Sequence, residues 1–169
     1  LTKTKGIEDA ILALSEIKGK VKGVRLWLIG RGEEKYYSKL KRLVGDLGLN
    51  KHVSFFGFVD EEKKFEKMSK AHILIAPSVM EGWGLIVSEA GFVGTPSVVY
   101  DVAGLRDVVR NGKNGIVVPR GYKSLAKAVT LLFKDKKLYR KLQNGAVEAS
   151  RKYTWDDTAS EFLKIIKRT

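Results

Sequence analysis

The apolar residues of the chain follow two patterns, each in its own set of segments. In some segments apolar residues recur every three or four positions, the spacing of an amphipathic helix, and in others they form short continuous runs, which are typical of strands buried in a parallel sheet. The predicted helices are 7–18, 37–47, a short one around 65–68, 85–92, 105–109, 125–133, 138–147 and 154–166, the last opening with a capping box at Thr154. The predicted strands are 25–29, 53–56, 73–76, 96–100 and 115–118.

The order of these elements predicts an α/β fold, a doubly wound, Rossmann-like parallel sheet followed by helices at the carboxyl terminus. No repeat, linker or low-complexity segment interrupts the pattern, so residues 1–169 are expected to form one domain. Ligands bind such sheets outside the carboxyl ends of the strands. The loops expected to bind a ligand therefore follow Ile29, Phe56, Ala76, Tyr100 and Val118.

The first of these loops contains Gly30-Arg31-Gly32, which stands between a predicted strand and a predicted helix. A dinucleotide fingerprint would need a third glycine at position 35, which is a lysine, and an acidic residue at the end of the second strand, which is missing. An NAD site is therefore disfavoured. Two interpretations stay open: a tight turn beside a ligand's phosphate or base, or glycines needed only to turn the backbone.

Glu81 and Glu89 stand eight positions apart, after the third predicted strand. Glu81 lies in a glycine-containing loop, and Glu89 lies on the second turn of a helix that begins near Leu85. The N-terminus of a helix offers unpaired N–H groups and a positive dipole to a diphosphate, and carboxylates accept hydrogen bonds from pairs of sugar hydroxyls. The spacing alone is equally consistent with Glu81 capping its helix and Glu89 being a solvated surface group.

Residues 77–90 read Pro-Ser-Val-Met-Glu-Gly-Trp-Gly-Leu-Ile-Val-Ser-Glu-Ala. This stretch resembles the E-x7-E motif of the large group of retaining GT-B glycosyltransferases that includes sucrose and glycogen synthases and many lipid-sugar transferases. All the fixed positions of the family pattern P-S-x-x-E-G-F/W-G-L-x-x-x-E-A are present. Shorter matches to family motifs occur at 1–6, 26–32, 53–59, 94–96 and 111–115. The resemblance implies the C-terminal, donor-nucleotide-binding half of a GT-B fold, and a nucleoside diphosphate sugar as the donor substrate.

The resemblance also implies a role for each matching position. Glu81 would hold hydroxyls of the donor sugar near the reacting carbon, Glu89 would bind the ribose hydroxyls, and Lys5, at the start of the first helix, would neutralise the leaving diphosphate. Glu81 and Lys5 are thus the predicted catalytic residues. The base would be read by the backbone at Phe58 and Val59. The other predicted contacts to the nucleotide sugar come from Gly30, Trp83, Gly84, Leu85 and Ile86.

Two departures from the family pattern bear on activity. The family's diphosphate-binding arginine would directly precede Leu1, and the first strand of the sheet would precede that arginine. Ala103 stands where many members have the first glycine of a Gly-Gly pair, a change that concerns recognition of the donor sugar. We therefore expect an N-terminal acceptor domain of the same enzyme as a partner, and no transfer by these 169 residues alone.

The main alternative is a nucleotide-sugar-binding or regulatory module without transfer activity. A sugar-nucleotide epimerase is disfavoured, because it would not need the E-x7-E pattern.

Charge and composition add few constraints. The net charge of +13 is consistent with a solvated, lysine-rich surface, and also with a positive field that attracts phosphate-bearing ligands or gives peripheral contact with an anionic membrane. Binding to nucleic acid is not predicted, since the sequence has no recognisable binding motif and no interleaved aromatic stripe.

Neither a cofactor nor a metal site is predicted. The chain has no cysteine, and its two histidines, His52 and His72, match no catalytic position of the family and are expected to be structural. No apolar run approaches the roughly 18 residues that cross a bilayer, and the first residues do not form a secretory signal, so a cytoplasmic location is expected. The scarcity of Gln and Asn beside many Lys and Glu is a composition seen in thermophile proteins.

Overall fold

The computed structural model describes residues 1–152 and 155–166; in the last helix the described side chains are those of 159, 160 and 162–166. The strands are β1 (Leu26–Ile29), β2 (Val53–Gly57), β3 (Leu74–Ala76), β4 (Ser97–Tyr100) and β5 (Gly115–Val118). The helices are α1 (Ile7–Ile17), α2 (Glu34–Asp46), α3 (Glu61–Lys70), α4 (Leu85–Phe92), α5 (Leu105–Val108), α6 (Tyr122–Lys134), α7 (Lys136–Ser150) and α8 (Trp155–Ile166). The predicted alternation of strands and helices is confirmed, with most bounds within two residues. The capping box predicted at Thr154 lies outside the described residues.

The strand pairings among the described residues are all parallel. β1 pairs with β2, and β4 lies between β3 and β5. All four residues of β4 are buried, because α6 and α4 both pack on this strand, α6 in contact with α1 and α4 in contact with α7. This arrangement confirms the predicted α/β fold. Hydrogen bonds join the strands into two separate groups, β1–β2 and β3–β4–β5, so β1 and β3 each have one edge that pairs with no described strand.

Helix α1 joins the two groups of strands. Its Ile11 and Leu14 pack in a core with β1 and α2, whereas Ile17 packs in a second core with β3, β4 and α6. All three side chains are buried, and burying each of them contributes about 1.5–3 kcal/mol to folding. The buried Tyr100 adds a polar contact between β4 and α1, since its hydroxyl donates a hydrogen bond of 2.5 Å to Asp9 of α1. Burial and the Asp9 carboxylate raise the pKa of Tyr100 above its ordinary value, which keeps the hydroxyl protonated as a donor.

Residues 1–6 run across the carboxyl ends of the strands. The N-terminal amine of Leu1 donates a hydrogen bond to the carbonyl of Arg31, just after β1. Val79, after β3, donates its N–H to the carbonyl of Thr4 over 2.8 Å. Gly6 has a φ of 63°, and a Cβ atom there would lie 2.0 Å from the carbonyl oxygen of Pro77, so only glycine fits. The segment is therefore fixed at both ends, from the end of β1 to the end of β3.

Lys5 and the two histidines have defined places in the fold. Lys5 lies in a short 3₁₀ turn, Lys3–Lys5, ahead of α1, and not on α1 itself, because Gly6 takes a left-handed conformation between them. His52 Nδ1 lies 2.9 Å from the carbonyl oxygen of Val24, and His72 packs against the ring of Phe133, so both histidines have structural contacts. Within the described part of the chain, the helices are too short or too polar to span a bilayer.

Candidate functional site

The loop between β3 and α4 lies at the carboxyl end of β3 and leads directly into the helix. Gly84 precedes α4 with a φ of 74°, and no side chain makes a capping hydrogen bond to this end of the helix. The first N–H groups of α4, including those of Leu85 and Ile86, therefore have no side-chain acceptor. The side chains of Trp83, Leu85 and Ile86 are exposed around this terminus. The helix end can thus accept an anion.

Glu81 and Lys5 meet beside this helix end, although 76 positions separate them in the sequence. Lys5 Nζ lies 2.6 Å from Glu81 Oε2, and Ser78 Oγ donates a hydrogen bond to the same oxygen over 3.2 Å. The Glu81 side chain is 16% exposed and that of Lys5 is 48% exposed. Glu81 does not cap α4, so that alternative is excluded. A carboxylate and an ammonium group stand together in front of a helix N-terminus.

Glu89 lies on the second turn of α4, where its carboxylate contacts helix α3. Lys64 Nζ of α3 lies 2.9 Å from Glu89 Oε2, and the two side chains are 27% and 30% exposed. Glu89 is therefore a half-buried ion-pair partner and not a solvated surface group. Lys64 was not predicted from the sequence. One feature of the sequence pointed to Lys64: it lies on the helix that follows strand 53–56. The carboxyl end of that strand was expected to face a ligand.

Gly30 and Phe58 lie together at the ends of β1 and β2. The N–H of Gly30 donates a hydrogen bond of 2.7 Å to the carbonyl of Gly57. The ring of Phe58 is 68% exposed, and the Arg31 guanidinium carbon lies 5.3 Å from its centroid, within the range of a cation–π contact. Val59, which follows, is partly buried. Arg31 was not predicted as a site residue, and it adds a cation to the edge predicted to bind the base.

Residues 103–107 support the loop that carries Glu81. Gly104 has a φ of 79°, and a Cβ atom there would lie 2.4 Å from the carbonyl oxygen of Glu81 and 2.6 Å from that of Gly82. Asp107 accepts a hydrogen bond of 3.1 Å from the N–H of Gly104. The departure from the family pattern falls on Ala103, while the glycine that touches the Glu81 loop is retained.

Substituting Gly104 tests this contact. We expect Gly104→Ala to lower the free energy of unfolding by about 2–5 kcal/mol, because left-handed strain of about 1–2 kcal/mol adds to an overpacking cost of about 1–3 kcal/mol. Gly112→Ala is the matched control, since Gly112 has a φ of 72° but open space where its Cβ would stand. Its free energy of unfolding should fall only by the cost of the left-handed strain. Denaturant unfolding measures both. Equal losses in the two variants would contradict a close contact at Gly104.

The site is defined by side-chain geometry and not by an enclosed cavity. A cavity of about 390 Å³ lies between α4, α7 and residues 107–114, and Trp83 reaches its wall. Lys5, Glu81 and Glu89 do not line it. Helix α4 directs Gly91 toward α7 and Glu89 toward α3, so the cavity and the Lys64–Glu89 pair are on different sides of this helix. In the described ranges there is no group of three His, Asp or Glu side chains that could hold a metal ion, and independence from metals stays a prediction.

Comparison with known proteins identifies the family. Residues 1–149 match the family described as glycosyl transferases group 1. The chain is 32% identical over 163 residues to a phosphatidyl-myo-inositol mannosyltransferase of Mycobacterium leprae, covering 95% of this chain and 42% of the relative. It is 33% identical over 169 residues to an uncharacterized glycosyltransferase of Methanocaldococcus jannaschii, covering 99% and 43%. The chain thus spans under half the length of these relatives.

The fold also has counterparts among solved structures. The structure of Anabaena HepE in complex with UDP and glucose superimposes with a TM-score of 0.92 at 23% identity, over 100% of this chain and 46% of that one. This likeness shows that the parallel α/β fold is that of the C-terminal half of GT-B glycosyltransferases. With the family match over most of its length, the chain belongs to the glycosyl transferases group 1.

Proposed function

We propose that this chain binds the nucleoside diphosphate sugar donor in a retaining, metal-independent glycosyltransferase. The observation that carries the proposal is the Lys5–Glu81 pair, 2.6 Å apart at the uncapped N-terminus of α4. In the proposal, Glu89 binds the ribose hydroxyls, Glu81 accepts hydrogen bonds from the donor sugar, and Lys5 lies beside the diphosphate. The binding of UDP and glucose by HepE, which has the same fold, supports this class of ligand.

The proposed chemistry follows from the charges at this helix end. Transfer breaks the bond between the anomeric carbon and the phosphate oxygen, so negative charge develops on the diphosphate. Positive groups aimed at that charge before reaction stabilise the transition state. Lys5 supplies a full positive charge, and the α4 N-terminus supplies N–H donors and a dipole. These groups provide the stabilisation that a divalent cation would otherwise supply, which is why we propose a metal-independent reaction.

Binding of the donor would rearrange the Lys5–Glu81 pair. If sugar hydroxyls donate to Glu81 and a phosphate oxygen accepts from Lys5, each side chain gives up its contact to the other. A contact to the ligand replaces it. A pair with an exposed partner is worth about 0–1 kcal/mol, so this exchange would reduce affinity by no more than about fivefold. The pair therefore keeps both side chains in place at a small cost to donor binding.

The base would bind at the ends of β1 and β2. Gly30, Phe58 and Val59 are adjacent there, and the backbone at Phe58 and Val59 supplies donors and acceptors for a base edge. The Arg31–Phe58 contact gives this edge a planar, positively charged surface.

We also propose that upstream residues add a strand between β1 and β3. Both strands have an edge that pairs with no described strand, and residues 1–6 cross between their carboxyl ends, where a parallel strand in this gap would end. Such a strand would lead directly into Leu1 and bring the family's diphosphate-binding arginine beside Lys5. An acceptor-binding domain would precede it, in keeping with relatives more than twice as long as this chain. The cytoplasmic location, the peripheral membrane contact and the thermophilic source stay predictions.

A ligand panel tests the proposed donor class. We expect one among UDP-, GDP- and ADP-sugars, at about a hundredfold excess over its Kd, to raise the Tm by about 5–10 °C, because binding then adds about 2.7 kcal/mol of stability. Thermal unfolding with each sugar nucleotide in excess EDTA measures the shift, and added Mg²⁺ should not increase it. A panel without any shift, together with salt-sensitive and sequence-independent binding of short oligonucleotides, would favour a basic nucleic-acid-binding module instead.

A further inference from the structure

Among the lysines of α3, Lys64 pairs with a carboxylate of another helix, whereas Lys67 contacts the rings of Trp27 and Phe56. Lys63 pairs with Asp60 at the start of the same helix, and Lys70 pairs with Glu66 one turn away. These pairs are local to α3, and each of their side chains is more than half exposed. Lys64 instead reaches across to another helix and contacts Glu89 of α4 over 2.9 Å, with both side chains about two-thirds or more covered. Its contact therefore connects α3 to the predicted nucleotide site.

The contact occupies one side of the Glu89 carboxylate only. Lys64 Nζ lies against Oε2, and within the described ranges no other ion pair or side-chain hydrogen bond involves Glu89. Oε1 is therefore available to accept a hydrogen bond. The ammonium group of Lys64 has a second contact, since Nζ lies 5.0 Å from the ring centroid of Phe65, in the range of a cation–π contact. A fixed cation on one oxygen limits the rotamers of the whole carboxylate.

We propose that Lys64 is a positioning residue that aims the Glu89 carboxylate at the ribose hydroxyls of the bound nucleotide. The inference rests on the proposed function, in which Glu89 binds the ribose. Lys64 neutralises the carboxylate from its Oε2 side, and Oε1 accepts from a hydroxyl. Without Lys64, Glu89 would sample other rotamers and turn toward solvent, and the site would lose part of its preference for a nucleotide with both hydroxyls.

The readout must separate positioning from simple attraction of an anion. Removing any lysine near the site weakens the binding of every nucleoside diphosphate, since the ligand is negatively charged. The ratio of the Kd for a 2′,3′-dideoxynucleoside diphosphate to that for the ribonucleotide cancels this general effect. That ratio reports only what the ribose hydroxyls add to binding.

The experiment measures the ratio by calorimetry for UDP, GDP and ADP and their 2′,3′-dideoxy forms. We expect the 169-residue chain to bind one ribonucleotide more tightly than its dideoxy form, and Lys64→Met to reduce the ratio about fivefold, the upper range for such an ion pair. Lys63→Met removes the same charge from the same helix and should leave the ratio within about twofold. Lys64→Arg, which keeps a cation, should retain most of the ratio.

The outcomes are distinguishable. If Lys64→Met leaves the ratio unchanged, or raises it because Lys64 competes with the ribose, the positioning role is wrong while the proposed function stands. Absence of binding by the unsubstituted chain to all three ribonucleotides would overturn the proposed function and this inference with it. Each variant counts as folded if its circular dichroism spectrum matches that of the unsubstituted chain and its Tm is lowered by no more than about 4 °C.

Discussion

Glu89→Ala is expected to weaken the binding of a nucleoside diphosphate about ten- to hundredfold, whereas Glu81→Ala leaves it nearly unchanged. Hydrogen bonds to a charged group are worth about 1.5–3 kcal/mol, and each 1.4 kcal/mol changes the Kd tenfold. Glu89 is proposed to contact the ribose, which every such ligand carries. Glu81, in the loop ahead of the α4 N-terminus, is proposed to contact the donor sugar alone. Calorimetry with the nucleoside diphosphate and with its sugar conjugate separates the two roles.

The control for this pair of variants is Glu66→Ala. Glu66 is an exposed glutamate on α3 whose partner, Lys70, lies in the same helix, so its loss changes the net charge without touching the site. Binding of both ligands should stay within about twofold of the unsubstituted chain in this control. If Glu81→Ala and Glu89→Ala reduce the affinity for both ligands equally, the proposed division between sugar and ribose is wrong.

Releasing Lys5 has a predictable secondary effect in Glu81→Ala. Lys5 would lose its only ion-pair partner among the described residues and would be free to approach the diphosphate. Since the Lys5–Glu81 pair is worth at most about 1 kcal/mol, this release would offset only a small part of any loss elsewhere. The affinity of Glu81→Ala for a nucleoside diphosphate should therefore equal or slightly exceed that of the unsubstituted chain.

The sequence predicted the fold well because the fold depends on local periodicity. The apolar run that became β4 and the helical spacing of α1 are set by residues close together in the chain, and the parallel α/β arrangement follows from their order. The resemblance also placed one strand of the sheet upstream of Leu1, and that strand stays a prediction. What periodicity did not indicate is that residues 1–6 are fixed against Arg31 and Val79, a long-range contact across strand ends.

The geometry around the candidate residues followed from the sequence only in part, and the missing part has a physical reason. The positions of Glu81 and Glu89 relative to α4 follow from their spacing in one motif. Lys64 and Gly104 act through packing between elements that are far apart in sequence, and neither a lysine on an exposed-looking helix nor a lone glycine signals such a contact. Side-chain geometry was needed to show that Lys64, unlike Lys63, turns toward the site.

Extension of the chain upstream is expected to raise sugar transfer by at least about a thousandfold over the 169 residues alone. Transfer requires an acceptor oxygen held in line with the anomeric carbon and water kept away, and such positioning is worth up to about 11 kcal/mol of barrier. In the proposed function, Lys5 and Glu81 contact the diphosphate and the sugar of the donor, so neither is assigned to the acceptor hydroxyl. The proposed strand between β1 and β3 would add the diphosphate-binding arginine, and the domain before it would bind the acceptor.

The comparison uses the best donor from the ligand panel and a membrane extract as the source of acceptor. Incorporation of labelled sugar is measured for the 169-residue chain, for the chain extended through a whole N-terminal domain, and for the extended chain carrying Glu81→Ala. The extended chain should be active, and its Glu81→Ala variant should be reduced toward the level of the short chain, because its contact to the donor sugar is lost. Donor binding should be detectable in the unsubstituted chains of both lengths. Robust and equal turnover by the short and extended chains would show that the 169 residues hold a complete active site, and that an acceptor-binding surface lies on this domain.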